Sequence, residues 1–313
     1  MIVDLPATST SAINRRLVDL RADAGAVALG RVLTLLVLVD ADRAEEAIRA
    51  ATDASREHPS RVLVVVRGDD GEETGLDAQI RVGGDAGAGE VVVLGLRGEL
   101  ADQASSVVVP LLLPDAPIVA WWPGTPPEDL SEHPVGRLAQ RRITDSAACE
   151  DPHEALLTRA RHHHEGDTDM AWTRTTRWRA ILAAALDLPP DEPVDRAVVR
   201  GAPDSPSSDL VAAWLRLRLE CPVERVSEGG PGDGMRAVEL ERSAGTIRLE
   251  RPEGTTAVLS QPGEPDHRLG LARRSLSECL AEELRRLDPD VVYGEVVTSL
   301  TGSPEPAGRA GAA

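Results

Sequence analysis

The run Val32-Leu33-Thr34-Leu35-Leu36-Val37-Leu38-Val39, followed further on by Arg61-Val62-Leu63-Val64-Val65-Val66, decides how the first half of the chain folds. Both runs are almost wholly apolar and rich in β-branched residues, which suits strands buried on both faces of a sheet. Between them Asp40 can cap a helix in which Ala44, Ala47, Ile48 and Ala51 recur at i, i+3, i+4 and i+7. Pro59 bars that helix from continuing. Strand, helix and strand in this order make a βαβ unit, which implies a parallel pair joined by a right-handed crossover.

Outward from this unit the alternation continues. Residues 76–82 form a short candidate strand, and Glu90-Val91-Val92-Val93-Leu94-Gly95-Leu96 is the third strong one. Residues 99–113 read as a helix that Pro110 kinks or ends. Ile118-Val119-Ala120-Trp121-Trp122 is a further strand, stopped by Pro123-Gly124. The expectation is an α/β fold whose N-terminal part is a doubly wound, mostly parallel sheet. Helices follow at 152–164 and 169–186, and His162-His163-His164-Glu165-Gly166-Asp167 between them marks a domain junction. Residues 1–165 then form the N-terminal domain.

The rest reads differently. Residues 207–219 are helical, and 222–226, 235–242, 245–251 and 255–261 are short strands at meander spacing, broken by Gly and Pro. Amphipathic helices at 271–287 and 290–300 complete a smaller α+β domain over 166–300 with an antiparallel sheet. The tail, 301–313, consists of Gly, Ala, Pro and polar residues and reads as disordered.

Composition narrows the chemistry. Of the 313 residues, 52 are acidic and 34 basic, for a net charge of −18. Every basic residue is Arg: there is no Lys and no Phe, with single copies of Tyr (Tyr293) and Asn (Asn14), a bias that follows from GC-rich codons. Without lysine there is no P-loop, no Schiff base to pyridoxal phosphate and no kinase strand lysine. The negative charge argues against a nucleic-acid groove, which needs cations to displace counterions. The N-terminus has no basic n-region and no apolar run nears the 18 or more residues of a bilayer span, so the chain is expected to be cytoplasmic and without a membrane contact. Cys149, Cys221 and Cys279 stand far apart, with no Cys-x-x-Cys pair, and read as free thiols.

Several motifs that look chemical have simpler readings. Gly83-Gly84-Asp85-Ala86-Gly87-Ala88-Gly89 leads into a strand, whereas a pyrophosphate loop must open a helix, so it is a tight connection. Successive histidines at 162–164 point about 100° apart on a helix and cannot converge on a metal, which leaves a solvated helix end. Asp167 and Asp169 at a helix start suit capping better than a catalytic pair. Neither a His-Glu-x-x-His nor a Gly-x-Ser-x-Gly motif is present. No catalytic, cofactor or metal residue is therefore assigned.

The tryptophans carry the remaining signal. Trp121, Trp122, Trp172 and Trp178 cluster in a chain nearly free of aromatic rings. Trp121 and Trp122 must point to opposite sheet faces. Arg174 and Arg177 share one helix face, with Arg179 off it. Core packing and contact with a partner are both open readings of this cluster, which with Asp167 and Asp169 forms the candidate partner-binding set. Arg141-Arg142, placed at the carboxyl edge of the sheet, could hold a phosphate or pair with neighbours such as Asp145.

A wider pattern runs along the chain: Met1-Ile2-Val3-Asp4-Leu5-Pro6, Gly30-Arg31-Val32-Leu33-Thr34, His58-Pro59-Ser60-Arg61, Leu76-Asp77-Ala78-Gln79, and Gly83-Gly84-Asp85-Ala86-Gly87. It continues with Leu113-Pro114-Asp115, Val119-Ala120-Trp121-Trp122-Pro123-Gly124, Arg141-Arg142-Ile143-Thr144-Asp145, Asp167-Thr168-Asp169 with Ala171-Trp172, Trp178-Arg179, Leu271-Ala272-Arg273-Arg274 and Leu284-Arg285-Arg286-Leu287-Asp288. In this order the segments resemble the glucose-6-phosphate dehydrogenase assembly protein family, OpcA. The resemblance implies a non-catalytic protein that binds glucose-6-phosphate dehydrogenase, promotes its active assembly as an allosteric activator, and so supports the oxidative pentose phosphate pathway and NADPH supply. The competing class is an enzyme or binder of sugar phosphates or nucleotides on an α/β fold.

Overall fold

The computed structural model describes residues 1–23, 32–68, 71, 73–83, 89–188 and 192–302, and its strands form two sheets. The first is built from β1 (Ile2–Leu5), β2 (Leu33–Asp40), β3 (Ser60–Arg67), β4 (Gly75–Val82), β5 (Glu90–Arg97), β6 (Ile118–Trp122), β7 (Arg141–Thr144) and β8 (Asp167–Asp169). Their order is β1-β4-β5-β3-β2-β6-β7-β8. Strands β5, β3, β2, β6, β7 and β8 run parallel, with β4 and β1 closing one edge as antiparallel partners. Helices α1 (Thr10–Asp23), α2 (Ala44–Ala54), α3 (Ala104–Val108) and α4 (Pro152–Arg161) connect these strands. The βαβ unit of β2, α2 and β3 is present as expected, with Leu33 opposite Ser60 and Asp40 opposite Arg67.

The alternation of side chains along a strand splits the apolar runs between two cores. Leu36, Leu63, Val92 and Trp122 pack with Ile13 and Leu17 of α1 on one face. Leu35, Val37, Val62, Val64 and Trp121 pack with Ala47, Ile48 and Ala51 of α2 on the other. The chain order reverses across β2: β3 lies on one side of it and β6 on the other, so the carboxyl ends of β2 and β6 form a topological switch point.

The second sheet contains β9 (Arg196–Gly201), β10 (Val223–Ser227), β11 (Met235–Arg242), β12 (Gly245–Glu250), β13 (Thr256–Ser260) and β14 (His267–Gly270), in the order β10-β9-β11-β12-β13-β14. It is antiparallel except for β9 and β10, which run parallel because α7 (Pro206–Leu219) crosses over between them. Helices α5 (Met170–Thr173), α6 (Thr176–Leu186), α8 (Leu276–Arg285) and α9 (Val291–Ser299) complete the chain. Trp178 and Leu182 of α6 cover this sheet together with Val211 and Leu215 of α7. Leu156, Ala171, Trp172, Leu210, Tyr293 and Val296 interlock α4, α5, α7 and α9.

Several boundaries differ from expectation for identifiable reasons. Pro110 limits α3, which is flanked by 3-10 turns at Gly98–Gln103 and Val109–Leu111 instead of a helix over 99–113. The helix expected over 169–186 breaks between α5 and α6. There the Thr175 hydroxyl donates to the Trp172 carbonyl at 2.7 Å, a local bond that competes with the helix ladder. The helix expected from 271 starts only at Leu276. Ser275 Oγ accepts from the Glu278 N–H at 3.2 Å while Glu278 Oε2 accepts from the Ser275 N–H at 2.8 Å, a reciprocal cap that sets the start.

The junction expected at 165/166 precedes β8, which hydrogen-bonds β7 and completes the first sheet. Cys279, Leu280 and Leu284 of α8 also pack on that sheet from far along the chain. The glycine-rich connection joins β4 to its antiparallel neighbour β5, so no helix follows it; residues 84–88 of it lie outside the described residues. A side chain at Gly89 would put Cβ 2.0 Å from the Ser60 carbonyl oxygen, so only glycine allows β5 to enter beside β3. The tail expected to be disordered lies, from 303 on, outside the described residues. Among the described residues no helix is long and apolar enough to cross a membrane.

Candidate functional site

Strands β7 and β8 sit side by side with charged residues inside the sheet, and their register pairs them. Arg142 lies opposite Asp167, and the two form a buried ion pair through Arg142 Nε and Asp167 Oδ1. Arg142 also donates to the Ala139 carbonyl at 3.1 Å, and Asp167 Oδ2 accepts the His164 N–H at 2.8 Å. Arg141, which points the other way, donates to Glu283 Oε2 of α8 at 2.6 Å and to the Asp288 carbonyl at 3.0 Å. The second oxygen of Glu283 accepts the Thr173 hydroxyl at 2.5 Å.

This corrects the phosphate reading of Arg141 and Arg142. Both stand at the amino end of β7, because the parallel strand runs from Arg141 toward Thr144. Their forks are already taken by buried carboxylates. Neither partner is Asp145, which instead takes Arg174 in a two-pronged pair with both bonds at 2.6 Å. Burial pushes the Asp145 carboxyl up. For Arg174 burial acts downward, but the hydrogen bonds to Asp145 outweigh it and hold the guanidinium above its ordinary range.

Asp169 is wholly buried and fully engaged. It accepts from Thr144 Oγ1 at 2.7 Å, the Ser146 N–H at 2.9 Å, Ser146 Oγ at 2.7 Å and the Ala171 N–H at 2.8 Å. It is therefore the cap of α5, as expected of a carboxylate at a helix start. Asp167 caps nothing; it is a strand residue paired to Arg142.

The tryptophans are core. Trp121, Trp172 and Trp178 are 0%, 1% and 2% exposed, and Trp122 is buried on the opposite face from Trp121. Trp172 Nε1 donates to Asp290 Oδ2 at 2.8 Å, and the Arg179 guanidinium lies 3.5 Å over its ring. Burial pushes Arg179 down to about 10. Arg179, off the face that Arg174 and Arg177 share, is thus the residue that stacks on Trp172, seven residues before it and so on the same side of the helical path. Of the eight candidate partner residues, only Arg177 is exposed.

The triple histidine is only partly a solvated helix end. His162 and His164 face Asp129 at 3.8 and 3.3 Å, whereas His163 is half-buried edge-on against Tyr293. Among the described residues no group of His, Cys, Asp and Glu is arranged to hold a metal. The three cysteines are free thiols; burial pushes Cys149 and Cys279 up to about 11.

Open space lies at the carboxyl ends of the parallel strands. One cavity of about 360 Å³ lies beside the ends of β2, β3 and β6 and is lined by Asp40, Arg67, Asp102, Trp122 and His133. A second, of about 280 Å³, lies beyond β6 and β7 and is lined by Arg43, Asp145, Arg174, Arg273 and Arg274. Nothing in the sequence singles out Arg43, Arg273 and Arg274 for a site, since they come from the lead-in to α2 and the segment before α8 and meet only in three dimensions.

Fold and site together define a two-sheet α/β protein in which a buried lattice of arginine–carboxylate pairs joins the late helices to the parallel sheet. A family model described as the N-terminal domain of a glucose-6-phosphate dehydrogenase subunit matches residues 51–161, and one described as the C-terminal domain of that subunit matches residues 165–297. The chain belongs to the OpcA family of glucose-6-phosphate dehydrogenase assembly proteins. A curated relative, the putative OxPP cycle protein OpcA of Synechococcus elongatus, is 33% identical over 158 residues. That match spans 46% of this chain and 35% of the relative's length. A crystal structure titled glucose-6-phosphate 1-dehydrogenase from Mycobacterium avium aligns with 88% of this chain and 92% of its own, at 12% identity and a TM-score of 0.44.

Proposed function

We propose that this chain is a non-catalytic cytoplasmic partner of glucose-6-phosphate dehydrogenase that promotes its active assembly, raises its activity and thereby supports the oxidative pentose phosphate pathway and NADPH supply. The observation that carries this reading is the family match, which extends over both sheets through domains described as belonging to a subunit of that dehydrogenase. Of the arginines and tryptophans that stand out in the sequence as a candidate partner surface, all but Arg177 are engaged inside the molecule, which leaves Arg177 as the one exposed for contact.

An activator acts only by binding the active arrangement of its partner better than the inactive one. A coupling of roughly 1–3 kcal/mol changes the partner's substrate affinity about five- to 150-fold. The test is dehydrogenase activity measured at increasing ratios of this chain. Activity that rises and saturates is expected; unchanged activity, with the two proteins eluting separately in gel filtration, overturns the reading. Arg177 on α6 is the exposed member of the candidate set, so Arg177→Ala is expected to weaken co-purification with the fold intact. The −18 charge implies steering of the encounter by acidic surface, and association should slow as salt is added.

A further inference from the structure

The 280 Å³ cavity reverses the sign of the molecule locally. Four guanidinium groups line it, those of Arg43, Arg174, Arg273 and Arg274, against the carboxylates of Glu46 and Asp145. The chain as a whole has 52 acidic residues to 34 arginines, so a guanidinium near its surface readily finds a carboxylate. Two of these four have done so. Arg174 is fixed by Asp145, and Arg274 bonds Glu282 at 2.5 Å. The other two have no carboxylate partner among the described residues. Arg43 reaches only the Pro123 carbonyl, at 3.4 Å, and Arg273 only the Gly232 carbonyl, at 2.7 Å.

Two further observations point the same way. Arg274 Nε is buried without a hydrogen-bond partner among the described residues. Arg251 is buried in the adjoining pocket that Arg174, Arg273 and Arg274 also line, and among the described residues it bonds only the carbonyls of Leu271 and Met235. Cations gathered at short range in a partly desolvated recess repel one another, and an anion placed among them removes that repulsion. The cavity lies at the carboxyl edge of the parallel sheet, beside the switch point, where open α/β sheets hold ligands.

We propose that this cavity binds the phosphate group of a small phosphorylated molecule, with Arg43 and Arg273 as the groups that close on it and Arg174 and Arg274 as fixed charge behind them. The planar fork of arginine matches phosphate oxygens two at a time. Ala47, Ala147, Ala148 and Leu276 give the remainder of the ligand an apolar rest. At about 280 Å³ the space is comparable to the lower end of the ~300–1,000 Å³ of small-molecule pockets, which suits a small phosphate ester.

The experiment uses the full chain alone, without the dehydrogenase, so its outcome is separate from that of the proposed association. Titration calorimetry and thermal shift are run with inorganic phosphate, glycerol 3-phosphate, glucose 6-phosphate and AMP, and with glycerol, glucose and adenosine as unphosphorylated counterparts. Saturable binding by at least one phosphorylated probe and by none of the counterparts is expected. Arg43→Ala and Arg273→Ala should each weaken that binding at least tenfold, and Arg273→Lys, which keeps the charge but not the fork, should fall between. Neither arginine has a carboxylate partner among the described residues, so circular dichroism and melting of the free variants should match the unaltered chain. Absence of binding by all four phosphorylated probes overturns the proposal, as does unchanged affinity in the Arg43→Ala, Arg273→Ala double variant.

Discussion

The two sheets carry their charges differently. In the eight-stranded sheet the central strands are covered on both faces, and three arginines there are buried against carboxylates: Arg61 with Glu90, Arg141 with Glu283, Arg142 with Asp167. Arg67, Arg81 and Arg97, by contrast, pair with more exposed carboxylates toward the strand ends and the antiparallel edge. In the six-stranded sheet one face meets α6 and α7 while the other meets water. Its ion pairs, Arg196 with Glu241 and Arg248 with Glu250, lie on that open face with both partners 40–45% exposed. A buried pair is held by the absence of water to replace either partner, whereas an exposed pair competes with solvent and salt. The same residue types therefore fix the architecture in one sheet and decorate it in the other.

The sharpest way to break this comparison is to remove one arginine from each sheet. Arg142→Ala strands the Asp167 carboxylate inside the first sheet and is expected to lower the unfolding free energy by about 3–5 kcal/mol. Arg248→Ala on the second sheet should change it by about 0–1 kcal/mol. Equal losses in chemical denaturation would mean that burial does not separate the two sheets. The segment crossing between them offers an intermediate case. Ser275→Ala removes half of the reciprocal cap that lets α8 start where it can deliver Glu283 to Arg141, and about 1 kcal/mol of stability should go with it. A loss near zero in the same denaturation series would show that packing of Leu280 and Leu284 alone sets that start.

The smallest effect concerns pH. Burial acts upward on Asp129, but hydrogen bonds from Ser131, the Glu132 N–H and His164 outweigh it and hold the carboxyl down to about 2, below its ordinary 3.8. A folded value below the unfolded one means that its stabilisation is complete above about pH 4 and fades as pH falls toward 2. Asp129→Asn should flatten that acid limb in melting curves by lowering stability above about pH 4 while leaving it little changed near pH 2; an unchanged limb would place acid sensitivity elsewhere.

How far the sequence can be read follows the same division. Strands β2, β3, β5 and β6 announce themselves as apolar runs, and alternation alone assigns Trp121 and Trp122 to opposite faces. Strands β7 and β8 do not. Arg141-Arg142-Ile143-Thr144 and Asp167-Thr168-Asp169 look like surface, because a charged residue suits a buried strand only when its partner lies across the ladder, and that partner is not a sequence neighbour. The parallel β9–β10 pair is hidden likewise, since a short strand such as Arg196–Gly201 shows no direction until α7 carries the chain over it. The Ser275-Leu276-Ser277-Glu278 pattern, by contrast, is legible as a helix start and is the signal that trims the helix expected from 271.

What the sequence determined on its own is local: apolar periodicity set the βαβ unit, the class of both sheets and the burial of the tryptophans' strand. It also bounded the chemistry, since in a chain without lysine the permanently charged side chains available to an anion are arginines. Which arginines are free to take one was decided only by the tertiary structure. Arg141 and Arg142, adjacent and conspicuous, are engaged by buried carboxylates, while Arg43 and Arg273, far apart in the chain, meet at one cavity without a bonded carboxylate among the described residues. The physical reason is that hydrophobic patterning acts through neighbours along the chain, but a charge is satisfied by whatever the fold brings within a few ångströms of it.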